Sequence, residues 1–324
     1  MDYQALLSTI QESHRCQLDQ IEQVLTDLVN DDNEDSIEKS SALHAISNAI
    51  MSCDNCIGTA DSYHNVAVAY AREDAEDIAC RILEKGLESF PQSVDLLADY
   101  IKYMISCSDF SKALTRYEKL ISIPKSRWNW RAFTFSIDFL FARLERENTS
   151  KECSETIISA IGELVKEYQN NRPFDEQSFL AEADMQRYFN EREKEIETLE
   201  KAISKLKAAP KCLMRYADIQ YEKGEYEKAL QAINRCKRDA VEPQLGVNYG
   251  YTFYLSALCK IAILFDEIRG LEEGVSNVQK EQVEGIYEDC KVASQILKSI
   301  TYKKNIAMLV KVLEIKTKID YLDD

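Results

Sequence analysis

The chain has 324 residues, 45% of them apolar and 30% charged, with only nine Gly and five Pro. That apolar fraction supports a sizeable core, and so few turn residues exclude a turn-rich β protein in favour of an all-α one. A formal net charge of −16 disfavours nucleic acid and anionic membrane as partners. The charge is uneven, since residues 1–60 hold eleven acids against two bases, Arg15 and Lys39. No stretch approaches the roughly 20 apolar residues that span a bilayer. The start, Met1-Asp2-Tyr3-Gln4, lacks the basic and hydrophobic regions of a secretory leader. Ten cysteines in such a chain read as reduced thiols of a cytoplasmic protein, with Cys80, Cys107, Cys236 and Cys259 as small core residues.

Residues 3–30 read as one long amphipathic helix, with Leu7, Ile10, His14, Leu18, Ile21, Leu25 and Leu28 on one stripe. The stripe suits packing on the next helices or a dimerisation seam. The acidic run 31–35 reads as a solvated loop before a helix near 36–51, whose N-terminus its charges favour. Residues 61–91 predict a helical hairpin. Tyr63, Val66, Ala67 and Tyr70 stripe its first helix, Ala79, Leu83 and Gly86 its second, and Pro91 closes it. Residues 94–124 repeat it with Leu97, Tyr100, Ile101 and Met104, a Ser108-Asp109-Phe110 turn, then Ala113, Tyr117, Leu120 and Pro124.

The interval 124–173 is enlarged. Trp128, Trp130, Phe133, Phe135, Phe139 and Phe141 mark its first half, 148–150 its turn, and Ile157, Ile158, Ile161 and Leu164 its second half. Trp128 and Trp130 are two apart and cannot share a helix face, so one of them is expected at the surface. Residues 174–209 give a degenerate hairpin with Phe179, Ala183, Leu199, Ala202 and Leu206, and Glu193, Glu195 and Glu197 read as a solvated face. Residues 210–243 give the clearest hairpin, turning at Gly224, which reaches the left-handed conformation at low cost. Longer helices follow at 246–268, 278–300 and 303–322. The last places Ile306, Leu309, Val310, Leu313, Thr317 and Tyr321 on one side and Lys304, Lys311 and Lys318 on the other, as the exposed end of a stack requires.

Leu213, Ala217, Gly224-Glu225-Tyr226, Ala229, Ile233, Cys236 and Pro243 resemble the tetratricopeptide repeat, a helix-turn-helix unit of about 34 residues. Residues 61–124 resemble it too, although Glu73-Asp74-Ala75 lacks the turn glycine, and Gln220 stands where an aromatic is usual. The resemblance implies an all-α α-solenoid of tetratricopeptide-like helical hairpins over 59–243. An acidic N-terminal helical segment (1–58) would precede it, and long helices at 244–324 would cap it. It also implies that the first helices line a concave groove for a peptide or partner protein. Carried over position by position, that groove comprises His64, Asn65, Val68, Arg72, Asp99, Lys102, Asp184, Arg187, Tyr188, Lys211, Arg215, Asp218 and Tyr221.

The expected function is therefore a non-catalytic interaction scaffold, an adaptor or a regulatory subunit. Two other readings stay open. Tyr117-Glu118-Lys119 with Pro124, Trp128 and Trp130 is similar to an RNA-processing helical repeat. A sensor of a small peptide or nucleotide signal, acting through a separate effector protein, would use the same architecture.

No phosphate loop, serine elbow or His-Glu-x-x-His motif is present, so no catalytic residue and no cofactor are expected. Cys53-Asp54-Asn55-Cys56 is the one paired-thiol motif. With His44 and His64 it supplies four donors of the type zinc takes. Their spacing matches no zinc module, and reduced thiols at a helix end are the plainer reading.

Overall fold

The computed structural model describes residues 3–30, 36–146, 151–239, 248–269 and 276–318. It divides into two compact units, Met1–Pro173 and Phe174–Asp324. The expected loop at 31–35, the turn at 148–150, Pro243, the loop at 270–275 and Tyr321 lie outside the described residues. Regular structure in the described residues is helical, apart from one short 3-10 turn and one two-residue bridge.

The first unit runs α1 (Tyr3–Ser13), β1 (Cys16–Gln17), α2 (Leu18–Asn30), α3 (Ser36–Ser52) and β2 (Cys56–Ile57). Three antiparallel pairs follow: α4 (Ala60–Ala71) with α5 (Glu76–Ser89), α6 (Val94–Ser106) with α7 (Phe110–Ile121), and α8 (Trp130–Arg146) with α9 (Lys151–Asn171). The second unit pairs α10 (Glu176–Tyr188) with α11 (Arg192–Lys205), and α12 (Pro210–Glu222) with α13 (Tyr226–Asp239). It ends in α14 (Tyr249–Glu267), α15 (Asn277–Ile296) and α16 (Ile300–Thr317). Within each unit, first helices pack on neighbouring first helices, as α4 on α6 and α6 on α8, or α10 on α12 and α12 on α14.

Four of these pairs turn in the same way. One or two residues past the first helix's cap the backbone is left-handed, at Asp74 (φ 56°), Ser108 (φ 59°), Asn190 (φ 57°) and Gly224 (φ 79°). The next N–H then reaches back to the helix's last turn, from Ala75 to Tyr70 O (3.2 Å), Asp109 to Met104 O (2.9 Å), Glu191 to Gln186 O (2.8 Å) and Glu225 to Gln220 O (2.9 Å). This is the six-to-one closure that satisfies orphan helix carbonyls. Asp74 to Ser108 and Asn190 to Gly224 are each 34 positions apart, so the period is set in the backbone even where glycine is missing. Asp and Asn tolerate this conformation better than most side chains.

The long helix expected over 3–30 is two helices. His14 adopts φ 54° and ends α1, and Cys16 then pairs with Cys56 in a parallel bridge. The stripe Leu18, Ile21, Leu25 and Leu28 is buried on α2, which packs beside α4, so the seam expected of it is covered within the chain. Cys107 also departs from expectation. It caps α6 and is exposed, whereas Cys80, Cys236 and Cys259 are buried as expected.

Small residues let the helices approach. Gly86 on α5 is one such point in the first unit, since a Cβ there would stand 2.8 Å from Tyr63 Cγ and 3.0 Å from Leu96 Cδ1. Gly86→Ala would gain roughly 1 kcal/mol of helix propensity. Overpacking against two fully enclosed side chains costs about 1–3 kcal/mol. Steric cost wins at this distance, so urea denaturation of Gly86→Ala is expected to show a net loss of up to roughly 2 kcal/mol. A gain in stability would show that the interface yields.

In the second unit, Leu213, Ala217, Ala229, Ile233 and Cys236 pack on Leu255 and Cys259 of α14. Val283, Ile286, Cys290, Ala293 and Leu297 then pack with Ile306 and Leu313 of α16. Asp289 joins three helices, because its buried carboxylate takes Lys237 of α13 at 3.1 Å, Lys260 of α14 at 2.7 Å and the Ser256 hydroxyl at 2.6 Å. The half-polar last helix is as expected: Leu309 and Val310 are half-buried, while Lys304, Lys311 and Lys318 are exposed.

Candidate functional site

In the first unit, α2, α4, α6 and α8 are cross-linked by polar side chains from helix to helix. Asp19 accepts from the Ser62 hydroxyl (2.6 Å) and Glu22 from the Asn65 amide (3.0 Å). His64 Nδ1 shares a short hydrogen bond with Asp99 Oδ2, and both residues are buried. Asp95 accepts from Asn129 and lies 3.5 Å from Arg131 Nη1. Of the expected groove residues, His64, Asn65 and Asp99 thus form the ladder that joins the helices. Val68 is half-buried, and Arg72 and Lys102 are exposed.

Lys102 places its ammonium 5.1 Å from the Phe135 ring centroid and 5.4 Å from that of Tyr103. Phe135 meets Trp130 edge-on at 6.1 Å, and Arg131 lies 5.3 Å from the Trp130 ring. Trp130 is 39% exposed. Trp128 is buried, donates Nε1–H to Ile123 O (3.2 Å) and carries Lys125 Nζ 3.3 Å over its ring. The tryptophan pair splits as expected, one inside and one at the surface, although Trp128 stands in the turn before α8 and not on the helix. Trp130, Arg131 and Phe135 extend the Lys102 face, and sequence reasoning assigned none of them to it. The aromatic run had suggested core, with one tryptophan at the surface.

In the second unit, Arg215 is the centre of a charged array. Its Nη1 donates to Asp184, and its Nε and Nη2 lie 2.8 and 2.7 Å from Glu195 Oε1. Glu195 is 1% exposed and also takes Arg192 at 3.3 Å. The solvated face expected for Glu193, Glu195 and Glu197 therefore holds for Glu193 and Glu197 but not for Glu195, which Arg215 draws inward from the neighbouring helix. Asp218 accepts from the Tyr251 hydroxyl (2.7 Å), and burial raises the pKa values of both groups. Arg187 and Tyr188 are exposed, Lys211 is half-buried, and Tyr221 packs on Tyr226 at 5.6 Å. The expected residues therefore fall on one set of first helices in each unit. Most of their polar groups are already paired.

The four donors considered for a metal do not assemble. His64 is committed to Asp99, and His44 is exposed on α3. Cys53 and Cys56 instead meet Cys16, with all three sulfurs within 4.8 Å of one another. Hydrogen bonding with Cys16 draws the Cys56 thiol down to about 6 against the effect of burial, and Lys85 acts in the same direction. The same contact pushes Cys16 up. No sequence signal connects Cys16 to a motif 37 positions away (16 to 53), because the left-handed break at His14 is what brings it there.

No protein-family model matches the chain, and no curated protein matches it significantly. The chain is similar to solved structures of low identity. One is a tetratricopeptide repeat protein from Parabacteroides merdae, with 14% identity over 91% of this chain and 98% of that one, and a TM-score of 0.49. Another is TTC0263, a thermophilic TPR protein in Thermus thermophilus, with 14% identity, 64% and 100% coverage and a TM-score of 0.48. A third is the human IFIT1 dimer with m7Gppp-AAAA, with 11% identity, 87% and 61% coverage and a TM-score of 0.46. At such identities the likeness concerns the fold alone. The 34-residue period, the shared left-handed turns and the packing of first helix on first helix make the chain an all-α solenoid of tetratricopeptide-like hairpins.

Proposed function

We propose that the chain is a non-catalytic scaffold that holds an extended segment of a partner protein on its first-helix faces. The observation that carries this reading is the Lys102–Phe135–Trp130–Arg131 array on α6 and α8. Exposed Trp130 and half-buried Arg131 on a rigid support are of the residue types that dominate binding energy at protein interfaces. The support here is rigid because the polar ladder through Asn65, His64, Asp99 and Asp95 locks neighbouring helices together. Binding then costs little ordering of the scaffold. Two cations beside aromatic rings favour a segment that presents a carboxylate next to an apolar side chain.

Selection of a random peptide display library on the purified chain tests this. Enriched peptides are expected to carry Asp or Glu beside an apolar residue. Lys102→Glu and Trp130→Ala should each weaken a selected peptide about tenfold or more, with the melting temperature unchanged. No enrichment, or affinity indifferent to both substitutions, would remove this reading.

A further inference from the structure

The turn after α3 and the break after α1 have a feature that partner binding does not explain. Two separate stretches of chain converge to put three thiols in one place. His14 turns the chain left-handed, so that Cys16 lies opposite Cys56 in the parallel bridge, and the Cys16 N–H bonds Asn55 O at 3.1 Å. Cys53 follows the last turn of α3, where its N–H bonds Ile50 O at 3.4 Å. Cys16 is fully buried, Cys53 is 6% exposed and Cys56 is half-buried. Among the described residues this is the one group of three or more potential ligand side chains gathered this closely.

We propose that Cys16, Cys53 and Cys56 form a binding site for a thiophilic divalent cation of the zinc class. Zinc binds thiolate sulfur at about 2.3 Å, which places neighbouring sulfurs of a tetrahedral site roughly 3.8 Å apart. Three sulfurs already within 4.8 Å need shifts of only about an ångström to reach that spacing. Beside their contacts with one another, the thiols make long contacts to backbone carbonyls: Cys16 to Ala49 O (3.6 Å), Cys53 to His14 O (3.6 Å), and Cys56 to Cys53 O (3.6 Å) and Ile50 O (3.8 Å). These weak bonds give way at small cost when the sulfurs become ligands.

Charge also fits. Three thiolates around a dication leave one negative charge, and each thiol passes its proton to solvent on binding. Lys85 supplies the compensating positive charge from α5, where its ammonium donates to Ile50 O (2.8 Å) and Cys53 O (2.6 Å). A monovalent thiophilic ion would leave a further charge unbalanced in a largely buried place. Cys53 also lines a cavity of about 740 Å³ with His14, Ser52 and Asp54. Water or an added donor can approach from that side to complete the coordination.

Reduced, chelator-stripped protein titrated anaerobically with Zn²⁺ against a chromophoric competitor should take up one ion per chain. Cys16→Ser, Cys53→Ser and Cys56→Ser should each weaken uptake at least about a hundredfold, while Cys107→Ser leaves it unchanged. Co²⁺ bound to wild-type protein should show sulfur-to-cobalt charge-transfer absorption, a readout that does not depend on any variant folding. The site is overturned by wild-type protein that takes up no stoichiometric Zn²⁺, by Co²⁺ that binds without charge-transfer absorption, or by a triple Cys→Ser variant that keeps full affinity.

Discussion

Arg215→Met is expected to destabilise residues 174–324 by roughly 3–5 kcal/mol, as removal of one partner from a buried ion pair does. Glu195 is 1% exposed, and Arg215 supplies both of its close contacts, at 2.7 and 2.8 Å. Arg192 reaches only the other carboxylate oxygen, at 3.3 Å from a half-exposed position, and cannot take over the first. Asp184 would lose the same partner at little cost, since it is exposed to solvent. The double substitution Arg215→Met with Glu195→Leu should recover most of the loss, because it replaces a stranded charge with apolar packing. Urea denaturation followed by far-ultraviolet circular dichroism measures both. A loss below about 1 kcal/mol in the single variant would show that water or Arg192 satisfies Glu195. The result also governs how binding data are read, because partner capture lost in an Arg215 variant would report unfolding as readily as contact.

Phe133→Ala should cost the first unit about 3–5 kcal/mol. Its ring is fully buried, lies parallel to Tyr168 at 4.7 Å (6° between planes) and tilts against Trp128 at 5.1 Å. One side chain thus holds α8, α9 and the Pro124–Trp128 turn together. Trp128 would be freed to reach water, so its fluorescence should shift to the red along with the fall in denaturation midpoint. A Phe133→Leu variant, which keeps most of the volume, should lose well under half as much. Equal losses for Ala and Leu would assign the effect to ring stacking rather than to the cavity.

The fold was legible wherever each hairpin carried its own punctuation. Ala217, Gly224 and Ala229 set a close crossing and a tight turn within a short span, and periodicity alone recovers such a unit. The turn at Asp74 was undervalued because glycine was taken as its marker, whereas the backbone closure needs only a residue that tolerates a positive φ. The break at His14 had no marker of either kind. The apolar stripe runs through it with unchanged spacing, and only the pairing of Cys16 with Cys56 from another segment favours the break.

The candidate site was legible as a set of first-helix positions but not in its chemistry. His64, Asp99, Arg215 and Asp218 lie on those helices as expected, yet each spends its polar atoms on a neighbour in the same unit. Which polar groups face a neighbouring helix depends on helix rotation, to which a count of positions is insensitive. Glu195 shows the same limit. It looks identical to Glu193 and Glu197 along the chain and differs only in facing Arg215.

The fit of α2 against α4 bears on where the chain can be cut. A fragment starting at Thr59, the natural choice from repeat boundaries, would strip Asp19 and Glu22 from Ser62 and Asn65, and the Leu43 carbonyl from the Tyr70 hydroxyl (2.8 Å). Tyr63, Val66 and Tyr70, now sealed, would lose their outer neighbours, at about 1.5–3 kcal/mol for each large apolar side chain returned to water. Residues 3–57 therefore act as the bookend of the stack, supplied by chain that carries none of the repeat pattern. A self-sufficient piece of this half is therefore expected to include α2 and α3 as well as the first recognisable hairpin.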